Sequence, residues 1–202
     1  MIPLVLATHN AHKVEELRRI LGARLDGIDL VGYDGPEPVE DGTSFEENAL
    51  IKARAAARHT GRAALADDSG IGVDVLGGSP GIFSARWAGP ARDSRANLEL
   101  LLWQLGRRAG RPPRRALHLR GGPRRAHRRR PRRADGARRV GGIRPPRRRG
   151  EGGFGYDPIF RPATGGASAA ALTADEKDRV SHRALAFDAI MPVVRRELLG
   201  EG

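Results

Sequence analysis

The stretch IPLVLATHNAHKVEELRRIL, Ile2–Leu21, decides the fold class. Its first part, Ile2–Ala7, is an unbroken apolar run with β-branched members, the pattern of a strand buried on both faces. Polar residues begin at Thr8. Asn10 is placed to cap a helix whose Val14, Leu17, Ile20 and Leu21 share one face, and which stops at Gly22. A doubly buried strand that feeds an amphipathic helix through a short polar turn is the building unit of α/β proteins.

The alternation continues outward. Ile28–Val31 reads as a second strand, and Asp34–Thr43 as a loop of proline, glycine and acids. Ser44 and Glu47 form a capping box for a helix that runs to Gly61. Ala63–Ala66 and Ile71–Val75 are apolar runs on either side of Asp67-Asp68-Ser69-Gly70. Leu76–Pro90 is a long Gly/Pro loop, and Asp93 or Ser94 opens a helix through Leu98, Leu101, Leu102 and Leu105. Gly152–Phe160 is a glycine-rich loop entering a short strand, and Thr173 and Glu176 form another capping box. Ser181–Leu199 is a final amphipathic helix, with a kink expected at Pro192.

A length of 202 residues suits one domain, or one domain with two lobes. The net charge of +12 is not spread evenly. Residues 106–150 hold 19 arginines and one acid, Asp135, with no lysine or aromatic residue. That segment alone carries +18, and the other 157 residues sum to −6. Taken whole, the chain has the charge of a nucleic-acid binder; its flanks alone do not. Cysteine is absent, which excludes disulfides, cysteine metal sites and a cysteine nucleophile, and fits a reducing compartment. The first apolar run has no basic leader, and no apolar run approaches the roughly 18 residues of a membrane span. The expectation is a soluble cytoplasmic protein.

Five polar clusters could carry chemistry. Thr8-His9-Asn10-Ala11-His12-Lys13 joins a buried strand to a helix start, where free N–H groups and Lys13 suit a phosphate; a plain N-cap with a surface lysine is the alternative. Asp67-Asp68-Ser69-Gly70 places adjacent acids at a strand end, where they could hold a hard cation or orient a water; the alternative is an acidic turn in solvent. Glu40 could be a second metal ligand, and Asn48 and Lys52 stand at i and i+4 on one helix face, able to point at one ligand or to face solvent. In Gly152-Gly153-Phe154-Gly155-Tyr156-Asp157-Pro158, Phe154 offers a flat face for a base, unless the aromatics plug the core. Ser181-His182-Arg183, with Lys177 upstream, puts cations at a helix start, where the helix dipole disfavours them unless a ligand is present.

In order along the chain, ATHNAHK, FEENALIKA, ADDSG, VDVLGGSPGIFSARWAG, GEGGFGYDPIF and DEKDRVSHRALA resemble the inosine/xanthosine triphosphate pyrophosphatase family. The match covers residues 1–105 and 150–202; the one departure in the opening motif is His9, where the family usually has glycine. The resemblance implies an elongated α/β fold with a mixed central sheet flanked by helices and a substrate cleft between two lobes. It also implies a homodimer, Mg²⁺, and hydrolysis of ITP, dITP and XTP to the monophosphate and pyrophosphate. Carried over by motif, Thr8 to Lys13 hold the triphosphate. Glu40 and Asp68 bind Mg²⁺, and Asp68 also accepts the proton of the attacking water. Ser69 contacts the substrate, and Phe154, Gly155, Tyr156 and Asp157 stack on and border the base. Lys177, His182 and Arg183 meet its carbonyl edge.

In that family the stretch matching 106–150 holds core strands, near a sequence of the form A-R-F-x-C. Here neither a period of 2 nor one of 3.6 is present. The segment reads as a frame-shifted translation of a GC-rich gene, expected to be disordered or misfolded. One alternative is a nucleic-acid-binding protein that uses the arginines, although no aromatic is interleaved for base stacking; binding of polyanions through +18 would otherwise be nonspecific. Another is an inactive product of the frame-shifted gene.

Overall fold

A computed structural model of the chain describes residues 1–106, 117–126, 155–160, 168–173, 175, 176, 178 and 181–201, with the backbone alone at 117–126 and 182. The chain divides into two compact units. The first is built from Met1–Asp68 and the C-terminal segment from Ser181; the second contains Ser69–Gly106 and the described residues between 155 and 178.

In the first unit, β1 (Ile2–Leu6) pairs in parallel with β2 (Ile28–Gly32) on one edge and with β3 (Ala63–Val73) on the other. Leu6 stands opposite Gly32 and Leu65. β1 is therefore an interior strand, which is why its apolar run has no polar alternation. Its side chains still sort by parity. Leu4 and Leu6, with Leu65 of β3, meet Val14, Leu17 and Leu21 of α1 (Ala11–Leu21) and Phe187, Met191 and Val194 of α4 (His182–Leu199). Val5, with Ala64 and Ala66, faces the opposite way, toward Ala49, Ala53 and Ala56 of α2 (Phe45–Thr60). Those alanines are spaced by four and three residues, so a small-residue stripe lets α2 lie close against the sheet. The helix starts follow the sequence reading. The Asn10 side chain accepts from the His12 N–H at 3.0 Å, and Ser44 Oγ from the Glu47 N–H at 3.1 Å. The return arm of the second cap reaches one residue further than expected, since the Glu47 carboxylate accepts from the Thr43 N–H and Oγ1.

Two readings change. The Asp67-Asp68-Ser69-Gly70 segment does not end a strand, because β3 runs unbroken from Ala63 to Val73. Both acids have cationic partners from distant helices, so the extended backbone continues through them. Gly155–Ile159 forms a turn rather than the entry to a strand, closed by the Phe160 and Ile159 N–H groups on the Tyr156 carbonyl. Within the arginine-rich segment, Leu117–Ala126 forms β4, beyond β3 in the order β2-β1-β3-β4; ladder bonds are made by the backbone and do not require an alternating side-chain pattern. Residues 107–116 and 127–150 lie outside the described residues.

The second unit has its own core, in which Ile71 and Val73 meet Leu98 and Leu101 of α3 (Ser94–Gly106) together with Ile159. Asp93 caps α3, its Oδ1 accepting from the Arg95 and Ala96 N–H groups at 2.7 and 2.9 Å. The long Gly/Pro loop is fastened to this core by two buried side chains. Ser84 Oγ accepts from the Ile71 N–H at 2.9 Å. Asn97 accepts from the Ala88 N–H at 2.6 Å and donates to the Ala85 carbonyl at 3.0 Å.

Candidate active site

The chain leaves β1 toward β2 through α1 on one face and reaches β3 through α2 on the other. The carboxyl end of β1 is thus a switch point, the place where open α/β sheets leave room for a ligand. Thr8–Lys13 leaves the sheet at that end. Beside it, β3 delivers two carboxylates that strand alternation sends to opposite faces.

Asp68 shares its parity with Ala64 and Ala66 and meets α2. Lys52 Nζ donates to Asp68 Oδ1 at 2.7 Å and to the Asp67 carbonyl at 3.0 Å, and lies 3.8 Å from Glu40 Oε2. Two carboxylates from separate segments therefore converge on one cationic position. Burial raises the Asp68 pKa above the usual carboxylate value; Lys52 opposes the rise, while Glu40 and Asp67 add to it. Asn48 and Lys52 share a helix face as expected but do different work. Asn48 is buried and its Oδ1 accepts from the Gly42 N–H at 2.9 Å, which pins the loop carrying Glu40.

Asp67 shares its parity with Leu65 and meets α1 and α4. Its Oδ2 accepts from Arg183 Nε and Nη2, both at 3.0 Å, and Arg183 Nη1 donates to both oxygens of Glu16 at 3.2 and 3.3 Å. The guanidinium is 5% exposed and thus engaged inside the first unit. Burial works against its charge, but Asp67 and Glu16 outweigh burial and raise its pKa. Lys13, on the first turn of α1, lines a small depression with Thr8, Leu17, Asp67 and Arg183. Burial lowers its pKa, against the attraction of Asp67. The depression places cations at a helix start beside Thr8, a geometry for an anion.

Thr8 Oγ1 accepts from the Asn10 N–H at 3.2 Å, and the Ala11 and His12 side chains are exposed. The exposed His9 turns away to the loop after β2: Nε2 meets the Gly35 carbonyl at 2.7 Å and Nδ1 lies 3.2 Å from Glu37 Oε1. Ser69 follows Asp68 in β3 and is half-buried. Tyr156 packs on the core of the second unit and its hydroxyl donates to the Ser84 carbonyl at 2.9 Å; burial pushes its pKa up to about 12. Gly155 and Asp157 belong to the same turn. Phe154, Lys177 and the side chain of His182 lie outside the described residues. One group absent from the sequence reading emerges here, Glu16, and Asp67, read there together with Asp68, has partners of its own. The available signal for Glu16 was its i+3 spacing from Lys13.

Among the described residues no group of three or more His, Cys, Asp or Glu side chains gathers to hold a metal, and no helix is long and apolar enough to cross a membrane. A Ham1 family profile matches residues 4–193. The chain is 52% identical over 205 residues to a dITP/XTP pyrophosphatase of Leifsonia xyli subsp. xyli, covering 96% of each. It is 48% identical over 209 residues to one of Streptomyces coelicolor, covering 99% of this chain and 100% of that relative. Among solved structures, a HAM1 protein from Coxiella burnetii superposes with a TM-score of 0.79 at 32% identity, covering 96% of this chain and 98% of that one. A nucleoside-triphosphatase (dITP/XTP pyrophosphatase) from Mycobacterium abscessus gives 0.69 at 40% identity, covering 95% and 100%.

Proposed function

The chain belongs to the Ham1 family, and from that premise we propose that it hydrolyses dITP, XTP and ITP to the nucleoside monophosphate and pyrophosphate, clearing non-standard purines from the nucleotide pool. The observation that carries this reading is the convergence of Asp68 and Glu40 on one cationic position, beside a phosphate-suited turn at the end of β1.

The donor set fits Mg²⁺. That ion takes hard oxygen ligands and uses one or two carboxylates, with substrate phosphates and water completing its shell. Glu40 and Asp68 would hold it, and Lys52 shows that the position between them accommodates a cation. Bound there, Mg²⁺ would supply charge neutralisation for the triphosphate. Lys13 binds phosphate oxygens at the helix start, and the turn from Thr8 to His12 borders them. Asp68 takes a proton from a water whose oxygen attacks phosphorus. The anhydride bond between the α- and β-phosphates breaks, and the electron pair leaves with pyrophosphate. A carboxylate pKa raised by burial makes Asp68 a better base than a solvated one.

By the motif match, Ser69 would contact the substrate, Phe154, Gly155, Tyr156 and Asp157 would border the base, and Lys177 and His182 would donate to its 6-oxo group. Adenine presents an amino group there, so donors would face donors and go unpaired, a mismatch worth about 10⁴-fold. Arg183, held by Asp67 and Glu16, serves this recognition by supporting the start of α4. The same reading carries a homodimer in the cytoplasm. The test is pyrophosphate release from dITP, XTP and ITP with ATP as control, for the chain and for Asp68→Asn. Release at equal rates from ATP, or release that survives the substitution, would refute the reading.

A further inference from the structure

We propose that His9 is a positioning residue that docks the loop 33–43 onto the turn after β1 and so sets the place of Glu40; the inference rests on the metal-binding reading of Glu40 above. The loop begins against a platform. Tyr33 is buried, its N–H donates to the Thr8 carbonyl at 3.3 Å and its hydroxyl to the Pro36 carbonyl at 3.1 Å. Its ring lies between His9, at 5.4 Å between centroids, and His59, at 5.7 Å in an edge-on contact. Gly35 lies flat on this platform: a Cβ there would stand 2.5 Å from the Tyr33 hydroxyl and 2.6 Å from His59 Cδ2. The loop ends at a second anchor, the Gly42 N–H on buried Asn48.

From Gly35 to Glu37 the loop is clasped to the turn after β1 by the His9 side chain. Its Nε2 donates to the Gly35 carbonyl at 2.7 Å, and its Nδ1 faces Glu37 at 3.2 Å. Glu40 follows three residues after Glu37. An ammonium 3.8 Å from Glu40 is also 2.7 Å from Asp68, so a shift of the loop changes the distance between the two carboxylates directly. A residue in the phosphate-suited turn thereby holds the segment that brings the second metal carboxylate.

The test compares the full chain with His9→Ala, His9→Gln and Glu37→Gln by amide hydrogen exchange of residues 34–42 in the metal-free protein, and by the Mg²⁺ concentration giving half-maximal hydrolysis. Loss of one exposed hydrogen bond is expected to speed exchange across 34–42 about fivefold in His9→Ala. The half-saturating Mg²⁺ should rise by a similar factor, more than KM for the triphosphate does. His9→Gln, which keeps a donor for the Gly35 carbonyl, should restore most of both, and Glu37→Gln should show a smaller change of the same kind. Unchanged exchange in His9→Ala overturns the proposal. So does a rise in triphosphate KM that equals the rise in Mg²⁺ requirement and is not rescued by glutamine, since His9 would then be touching phosphate itself. If the unaltered chain hydrolyses nothing, the metal reading fails while exchange still decides whether His9 holds the loop.

Discussion

Asp67 and Asp68 are consecutive in β3 and serve opposite faces of the sheet: Asp67 accepts from Arg183 at 3.0 Å on the α1/α4 face, and Asp68 accepts from Lys52 at 2.7 Å on the α2 face. One carboxylate is bound into a buried ion network; the other stands beside Glu40 at the Lys52 ammonium.

This division separates two substitutions that look alike. Asp68→Asn should lower turnover by about 10²–10⁴-fold without loss of stability, because burial already disfavours the ionised carboxyl. Asp67→Asn should cost about 3 kcal/mol of stability, since it takes a charged partner from a guanidinium that is 5% exposed. Urea midpoints measured beside turnover check the pair. A larger stability loss for Asp68→Asn than for Asp67→Asn would contradict the assignment.

Lys13 is the cation whose charge the fold opposes. Burial lowers its pKa below the ordinary 10.5, so between the folded value and 10.5 the unfolded chain binds more protons than the folded one. Stability therefore rises with pH across that window. Below it, the folded state bears the full cost of burying the charge. Lys13→Met should accordingly raise the unfolding midpoint at neutral pH, with the gain shrinking as pH approaches 10.5, while KM for the triphosphate rises. A midpoint that falls at neutral pH would show that Asp67 compensates Lys13 fully.

The loop bearing Glu40 depends on a close approach at Gly42, where a Cβ would stand 2.7 Å from both Asn48 Oδ1 and Glu47 Cβ. Gly42→Ala should cost about 1–3 kcal/mol through overpacking, and Asn48→Ala about 1–3 kcal/mol through the bond lost by the Gly42 N–H. The two act on one contact, so the double variant should lose clearly less than the sum of the singles. Strict additivity in chemical denaturation would mean that the two residues are not coupled.

Local signals were readable from the chain, and distant pairings were not. Asn10, Ser44 and Asp93 each cap a helix within three residues of themselves, so their roles follow from neighbours in sequence. The continuity of β3 through two adjacent acids depends on Lys52 and Arg183, 16 and 116 residues away. No window around Asp67-Asp68 contains that information, and without it the pair resembles a turn. The same distance hides the commitment of Arg183 to Glu16, 167 residues away. The motif at Arg183 points to a ligand, and only the packing of α4 against α1 reveals its internal partners.

Tyr156 gives a check on the second unit alone. Its hydroxyl donates to the Ser84 carbonyl, and burial pushes its pKa up to about 12. Of the two tyrosines in the chain, Tyr156 should supply a late phenolate step in an ultraviolet titration, and Tyr156→Phe should remove it at a stability cost of about 1 kcal/mol. A late step that persists in Tyr156→Phe would place the buried hydroxyl elsewhere.

The arginine-rich stretch makes a prediction at the level of the gene. Arg115–Gly122 can be encoded CGC GCG CTT CAC CTG CGC GGC GG, and the register one nucleotide later reads Ala-Arg-Phe-Thr-Cys-Ala-Ala, an alternating strand pattern of the kind absent from residues 106–150. Resequencing the gene between the codons for Leu105 and Gly150 should uncover a register change near each end, with translation in the shifted register yielding apolar alternation between them. The chain with its register restored should then exceed the chain as written in pyrophosphate release from dITP, because Glu40, Lys52 and Asp68 are common to both and only residues 106–150 differ. If no register of the resequenced gene produces alternating strands, the arginines are genuine. Their charge would then be expected to give salt-dependent binding to nucleic acid that is lost on deleting 106–150.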